Sequence, residues 1–190
     1  MRHASAMEHA ELEVLEQGLG EVRDAPKDGG TVELIARRPA VNQREVVDEA
    51  VLDPIVGLVG DCWRVKGSTS TADGSAHPGR QLTLMSARAA ALVAGPPERW
   101  ALAGDQLYVD LDLSRANLPP GTQLSIGSAV IEITDQPHTG CGKFSRRFGV
   151  DAMKFVNSVE GRKLNLRGVN ARIVGGGTVC AGDVVRKVGE

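Results

Sequence analysis

Aromatic side chains are scarce in this chain of 190 residues, at 3%. Base-stacking platforms are therefore few, and nucleic acid is excluded as the main ligand. No apolar run approaches the roughly 18 residues that a membrane span needs, and the N-terminus opens on polar and charged residues. The expectation is a cytoplasmic protein with no membrane partner. Cysteine is limited to Cys62, Cys141 and Cys180, with no CxxC spacing. An odd count without a signal peptide argues for a reducing compartment and against a disulfide framework. Strong net charge is also missing, at −2, so a polyanionic partner is not expected.

What is present is a 42% apolar chain, long enough for one domain with an additional arm. Its charge is unevenly spread. Residues 1–60 hold 6 Lys/Arg against 12 Asp/Glu, a balance of −6, whereas residues 137–190 hold 10 against 4, a balance of +6. A basic C-terminal third on a near-neutral chain points to a local anion site; it is equally compatible with an acidic arm that balances a basic end.

Residues 1–8 read as disordered. Leu12, Leu15, Leu19 and Val22 recur at helical spacing, which predicts an amphipathic helix. Residues 24–30, with one Pro and two Gly, form a linker. The arm is thus 1–30 and the main domain 31–190. Strands are expected at Thr31–Ala36, with Val32, Leu34 and Ala36 on one side, at Gln81–Met85, and at Leu107–Leu113, where Leu107, Val109, Leu111 and Leu113 share a face. Gly127-Ser128 between two further strands predicts a hairpin. Ala171–Val174 and Val184–Val188 are two more strands, flanking a Gly-rich turn. Helices are expected from Asn42, with Glu45 as a capping-box partner, to about Leu52; from Ser86 to Gly95-Pro96; and over Asp151–Val159. Many short strands and few helices predict a mainly β fold, a barrel or sandwich with helical decoration and no βαβ pattern.

Chemistry concentrates in residues 137–148. Cys141 stands between Gly140 and Gly142, in a stretch with no acid and with Lys143, Arg146 and Arg147 as well as His138. Such surroundings favour the thiolate, the form that attacks, carries sulfur or binds a soft metal. The cations also suit a phosphate. Arg80 and Arg167, each at the entrance to a strand, can add charge. The opposing reading makes Cys141 a small buried filler and the arginines a solvated face. Cys62 and Cys180 lack comparable neighbours. His138 and Cys141 are three apart, but only His77 and Cys62 are at hand to complete a zinc site. A cysteine hydrolase using His138 remains open, although no nucleophile elbow is present.

Several segments, taken in order, resemble the MOSC domain, named after the C-terminal part of molybdenum cofactor sulfurase. They are Gly57-Leu58-Val59-Gly60-Asp61, Arg80-Gln81-Leu82-Thr83-Leu84, Ala103-Gly104-Asp105-Gln106-Leu107, Gly121 to Gly127, Glu132 to Cys141, and Arg167-Gly168 with Ala181-Gly182-Asp183. The resemblance runs from about Thr31 to Val188 and is to a stand-alone bacterial-type member. It implies a β-barrel that binds molybdenum cofactor (molybdopterin) with Cys141 as metal ligand or sulfur carrier. His138, Thr139, Lys143, Arg167 and Arg80 would bind the cofactor. The implied activity is reduction of N-hydroxylated small molecules, with electrons from a separate electron-transfer protein, or sulfur transfer. A cysteine desulfurase would be the partner in sulfur transfer, and pyridoxal phosphate would belong to that partner. The alternative in a different class is a non-catalytic anion-binding or interaction module. Two positions depart from the family pattern: Cys62-Trp63 follows Gly-Asp where a basic residue or His is expected, and Gln106 replaces Asn.

Overall fold

The computed structural model describes residues 9–189; the disorder expected over residues 1–8 concerns residues outside that range. The chain opens with α1 (Leu12–Gln17) and α2 (Leu19–Arg23). One continuous helix was expected here. Gly18, the poorest helix former short of proline, divides it. A Cβ at Gly18 would also overlap the Leu92 side chain. Leu15 and Val22 are nevertheless buried, as their spacing requires.

Strands β1 (Gly30–Arg37), β2 (Glu45–Val47), β3 (Glu49–Asp53) and β4 (Gly57–Leu58) follow. The helix expected from Asn42 to Leu52 is absent. The β-branched Val46, Val47 and Val51 resist helix and fit strands. Val47 pairs with Ile35 on β1, and Ala50 with Val179 on a later strand. Asn42 is left-handed, with φ 66°. Glu45 makes a fork with Arg37 (2.7 and 3.0 Å) where a capping box was expected.

After α3 (Trp63–Lys66) come β5 (Leu82–Ser86), α4 (Ala87–Ala94) and β6 (Leu107–Asp110). Ser86 Oγ caps α4 by accepting from the Ala89 amide, and Gly95 ends it at φ 77°. β5 and β6 run parallel, so the chain contains one β–α–β unit that its pattern had not disclosed. β7 (Gln123–Ile126) and β8 (Ala129–Ile133) form the expected hairpin. Three helices then follow where one was expected: α5 (Gly142–Phe148), α6 (Val150–Asn157) and α7 (Val159–Lys163). β9 (Val169–Gly175), β10 (Gly177–Cys180) and β11 (Val184–Lys187) complete the chain.

Seven strands close into a barrel in the order β11-β7-β8-β9-β5-β6-β1, sealed by pairing of β1 with β11; β2 extends it from β1. β10, β3 and β4 form a small second sheet. Two apolar cores lie on opposite sides of the barrel wall. Leu107, Val109, Leu111 and Leu113 join the interior core, as their alternation demands. Tyr108 points outward, yet it is fully buried beneath the helices, and its hydroxyl donates to the Trp100 carbonyl (2.6 Å). β1 departs from simple alternation. A register shift between Val32 and Leu34 sends Val32 and Ile35 inward and Leu34 and Ala36 to the helix side. A bulge changes which face successive residues occupy, so the common face expected for Val32, Leu34 and Ala36 is not formed.

Gly168 joins the helical segment to β9 at φ 104°. A Cβ there would overlap the Leu84 carbonyl oxygen on β5. Gly168→Ala is therefore expected to destabilise the fold by at least about 1 kcal/mol. Urea unfolding with an unchanged midpoint would contradict this close approach.

Candidate functional site

Two Gly-Asp pairs build the site. Gly60 and Gly104 both have positive φ, 86° and 96°. Each turns the chain so that the following aspartate side chain is fully buried. Asp61 takes Arg38 in a fork, Nε to Oδ2 at 2.8 Å and Nη2 to Oδ1 at 2.9 Å. It also accepts the amides of Arg38 and Trp63. Burial alone would lower the Arg38 pKa, but Asp61 outweighs it and the net shift is upward. Arg38 Nη1 then reaches the Gly104 carbonyl (3.1 Å). Asp105 Oδ2 accepts from Arg167 Nη1 (2.5 Å), Arg167 Nη2 donates to the Ala103 carbonyl (2.8 Å), and the guanidinium lies 5.0 Å from the Phe144 ring centroid.

The other Asp105 oxygen, Oδ1, stands 3.6 Å from His138 Nδ1, and neither atom has a hydrogen-bond partner among the described residues. Burial first, and then the Arg167 charge, drive the His138 pKa down to about 3, against the opposing pull of Asp105. His138 is thus neutral near pH 7. The positive contribution expected of it is absent, because a buried imidazole beside a fixed guanidinium does not hold a second proton.

Cys141 is exposed and sits at the N-cap position of α5. Its loop is fixed from α6. Asn157 accepts the Gly140 amide (2.9 Å) and donates to the Gly140 carbonyl (3.0 Å). A Cβ at Gly140 would come within 2.9 Å of Val156 Cγ2, so glycine permits this approach. The Sγ makes no capping hydrogen bond of its own. Partial burial would raise the thiol pKa. The amides of Phe144 and Lys143, followed by the charges of Arg167 and Lys143, reverse that and lower it.

Cys141 opens on a pocket of about 180 Å³ that Cys62 and His138 also line. Six cations line it, namely Arg38, Arg44, Lys66, Lys143, Arg147 and Arg167, with no Asp or Glu among the lining residues. Arg44 reports the crowding: burial, and then the charges of Arg147 and Arg38, lower its pKa. Among the described residues, Arg44, Lys66, Lys143 and Arg147 have no carboxylate partner. The arrangement places unpaired positive charge next to a thiol whose pKa is lowered.

Cys141, His138, Lys143 and Arg167, named from the sequence, come together here. Thr139 is exposed and lines neither this pocket nor its neighbour. Arg80 lines that neighbour, a larger cavity of about 840 Å³ that shares Arg38, Lys66 and Thr83 with the first. Gln106 lies behind the site, where its Oε1 accepts from the Thr83 amide (2.9 Å) and hydroxyl (2.5 Å) and ties β5 to the start of β6. Cys180 is remote, its Sγ donating to Glu49 (3.6 Å). Sequence reasoning missed Arg38, Arg44 and the anchoring work of Asp61 and Asp105. The repeated Gly-Asp followed by a turn was the available signal. Among the described residues, no three His, Cys, Asp or Glu side chains converge as metal ligands. No helix among them is long and apolar enough to cross a membrane.

Two measurements follow from these titrations. Alkylation of Cys141 by iodoacetamide is expected to reach half-maximal rate at lower pH than that of Cys180, whose thiol burial, Asp183 and Glu49 raise. Lys143→Gln should move the Cys141 midpoint upward, and equal midpoints for the two cysteines would refute the electrostatic account. His138 binds its proton more readily in the unfolded chain, with a normal value of 6.5 against about 3 when folded. Its stabilising contribution is therefore present above about pH 6.5 and is lost as the pH falls toward 3. His138→Gln should flatten the loss of stability between about pH 7 and about pH 4.5, read as urea midpoints.

The MOSC domain family model matches residues 75–186, more than half of the chain, and includes Asp105, His138, Cys141 and Arg167. No curated protein matches the chain. Among solved structures, the YuaD protein of Bacillus subtilis superposes with a TM-score of 0.62 at 16% identity, covering 82% of this chain and 93% of that one. YiiM of Escherichia coli gives 0.54 at 21% identity, covering 84% and 70%. YiiM of Geobacillus stearothermophilus gives 0.51 at 13%, covering 86% and 74%. These likenesses establish a shared barrel, and the family match extends across the strands and loops that carry the thiol: the chain belongs to the MOSC domain family.

Proposed function

We propose that the chain binds molybdenum cofactor and acts through Cys141 as the protein's ligand to the metal. The observation that carries this reading is the exposed, pKa-lowered Cys141 on a pocket with six cations and no acid. The donor set fits the cofactor in two respects. A thiolate is the protein ligand a soft metal centre takes. Lys143, Arg147 and Arg44, which lack carboxylate partners among the described residues, suit a terminal phosphate. When bound, the group supplies a metal centre able to exchange two electrons with a substrate.

The chain's own residues do the rest. Asp105 holds Arg167 against the pocket wall. Neutral His138 offers a hydrogen-bonding nitrogen without adding charge. Asn157 fixes the loop that presents Cys141. The reaction class is reduction of an N-hydroxylated small molecule, with electrons from a separate protein. A second reading, sulfur carriage on Cys141, is favoured by the exposure of that thiol, which a partner desulfurase can reach directly.

The test is elemental analysis for molybdenum in protein purified from a cofactor-producing host, alongside Cys141→Ala. Near-stoichiometric metal in the wild type and its loss in the variant is the expected result. Equal metal in both, or none in the wild type, would overturn the metal-ligand reading. Circular dichroism should be the same for both proteins, because Cys141 is exposed and outside both cores.

A further inference from the structure

Two of the three cysteines, Cys62 and Cys141, line the same pocket of about 180 Å³, a space for a handful of water molecules. The role proposed for Cys141 leaves Cys62 without a task. A buried free cysteine ordinarily packs as a small hydrophobe. Cys62 is buried, yet it joins neither of the two apolar cores. Its side chain lies close enough to the Arg38 guanidinium for their charges to interact: burial lowers the Arg38 pKa, and Asp61, Asp105 and Cys62 raise it. Cys62 is also one of the two positions at which the chain departs from the MOSC pattern.

The two residues are held differently. The Cys62 backbone is fixed on both sides, its amide donating to the Arg38 carbonyl (2.8 Å) and its carbonyl accepting from the Lys66 amide (2.8 Å). Cys141 is exposed and stands between two glycines. Asn157 grips its loop at Gly140. At Gly142 a Cβ would meet only Arg146 Nη1, at 3.7 Å, an ordinary contact. Packing therefore does not demand glycine at 142, and what Gly142 contributes is backbone freedom beside the thiol. The third cysteine, Cys180, faces Glu49 and does not line the pocket.

We infer that Cys62 is the resolving thiol of Cys141, and that the two form a redox-active pair closed by a hydroperoxide. In the first step the Cys141 thiolate attacks one oxygen of hydrogen peroxide. An S–O bond forms, the O–O bond breaks, and hydroxide leaves. In the second step the Cys62 thiolate attacks the Cys141 sulfur. The S–S bond forms, the S–O bond breaks, and a second hydroxide leaves. The protons given up by the two thiols convert both hydroxides to water. The thiols lose two electrons and the peroxide gains them. The pairing does not depend on the cofactor reading. Its consequence for that reading is that the disulfide withdraws the thiolate on which metal ligation or sulfur carriage relies.

The experiment treats the reduced, cofactor-free full chain with equimolar hydrogen peroxide, alkylates the remaining thiols and maps peptides by mass spectrometry without reductant. One cross-linked pair, joining the Cys62 and Cys141 peptides, is expected, with Cys180 alkylated. Dimedone present during oxidation traps the Cys141 sulfenic acid. It should label Cys62→Ser about tenfold or more above wild type, because a thiol in the same pocket outruns a reagent from solution. Serine is close to cysteine in size, and an unchanged circular dichroism spectrum separates loss of the thiol from loss of the fold. Equal dimedone labelling in the two proteins would overturn the assignment. So would Cys141 joined to Cys180 or to a second chain. Either failure would leave the molybdenum result at Cys141 standing, since that result is measured on reduced protein.

Discussion

Two carboxylates without access to water, Asp61 and Asp105, fix the arginines on which the pocket is built. Removing one partner of a buried ion pair is far more costly than the net gain from forming it, about 3–5 kcal/mol. Each pair is therefore maintained more as a constraint than as a source of stability. Arg38 and Arg167 are each pinned to a carboxylate and to a backbone carbonyl at residue 104 or 103. The four remaining cations have no carboxylate partner among the described residues, although Arg44 and Arg147 also donate to backbone carbonyls at residues 101 and 102. The pocket thus combines a rigid floor with charge left for a ligand.

Placement of that floor depends on the barrel wall having two sides. The interior core is apolar and holds the seven strands together. The outer core seats the helices, and the thiol loop connects the wall strand β8 to α5. The Arg167–Asp105 pair joins the segment before β9 to the segment before β6. Their approach depends on Gly168 clearing the Leu84 carbonyl. Site geometry is in this way a product of strand packing.

Much of this could be read in the sequence. Leu107 to Leu113 declared its face, Gly127-Ser128 its hairpin, Ser86 its cap, and the Gly-Cys-Gly loop its chemistry. What escaped was long-range. The Asn42–Leu52 segment carries a local capping signal for a helix, but its valines together with its pairing to β1 and β10 make it strand. The bulge in β1 is set by its match to β6 and leaves no local trace. The charge map misled in a specific way. It placed the anion site in the basic C-terminal third, yet Arg38 and Arg44 come from the acidic first third. Partner choice across the fold, and not local composition, decides which cations remain free. The neutrality of His138 was equally invisible, because it depends on burial beside Arg167.

Asn157 grips the thiol loop from α6, and α6 packs in turn against α1 of the N-terminal arm, whose Leu12 and Leu15 enter the same outer core. The arm, the helix and the loop that carries Cys141 are therefore mechanically in series. A protein that docked on the arm and drew it a fraction of an ångström from the wall would pull on the loop bearing Cys141 without touching the pocket. The arm lies outside residues 75–186, the stretch that the family model matches, whereas the loop it steadies lies inside it.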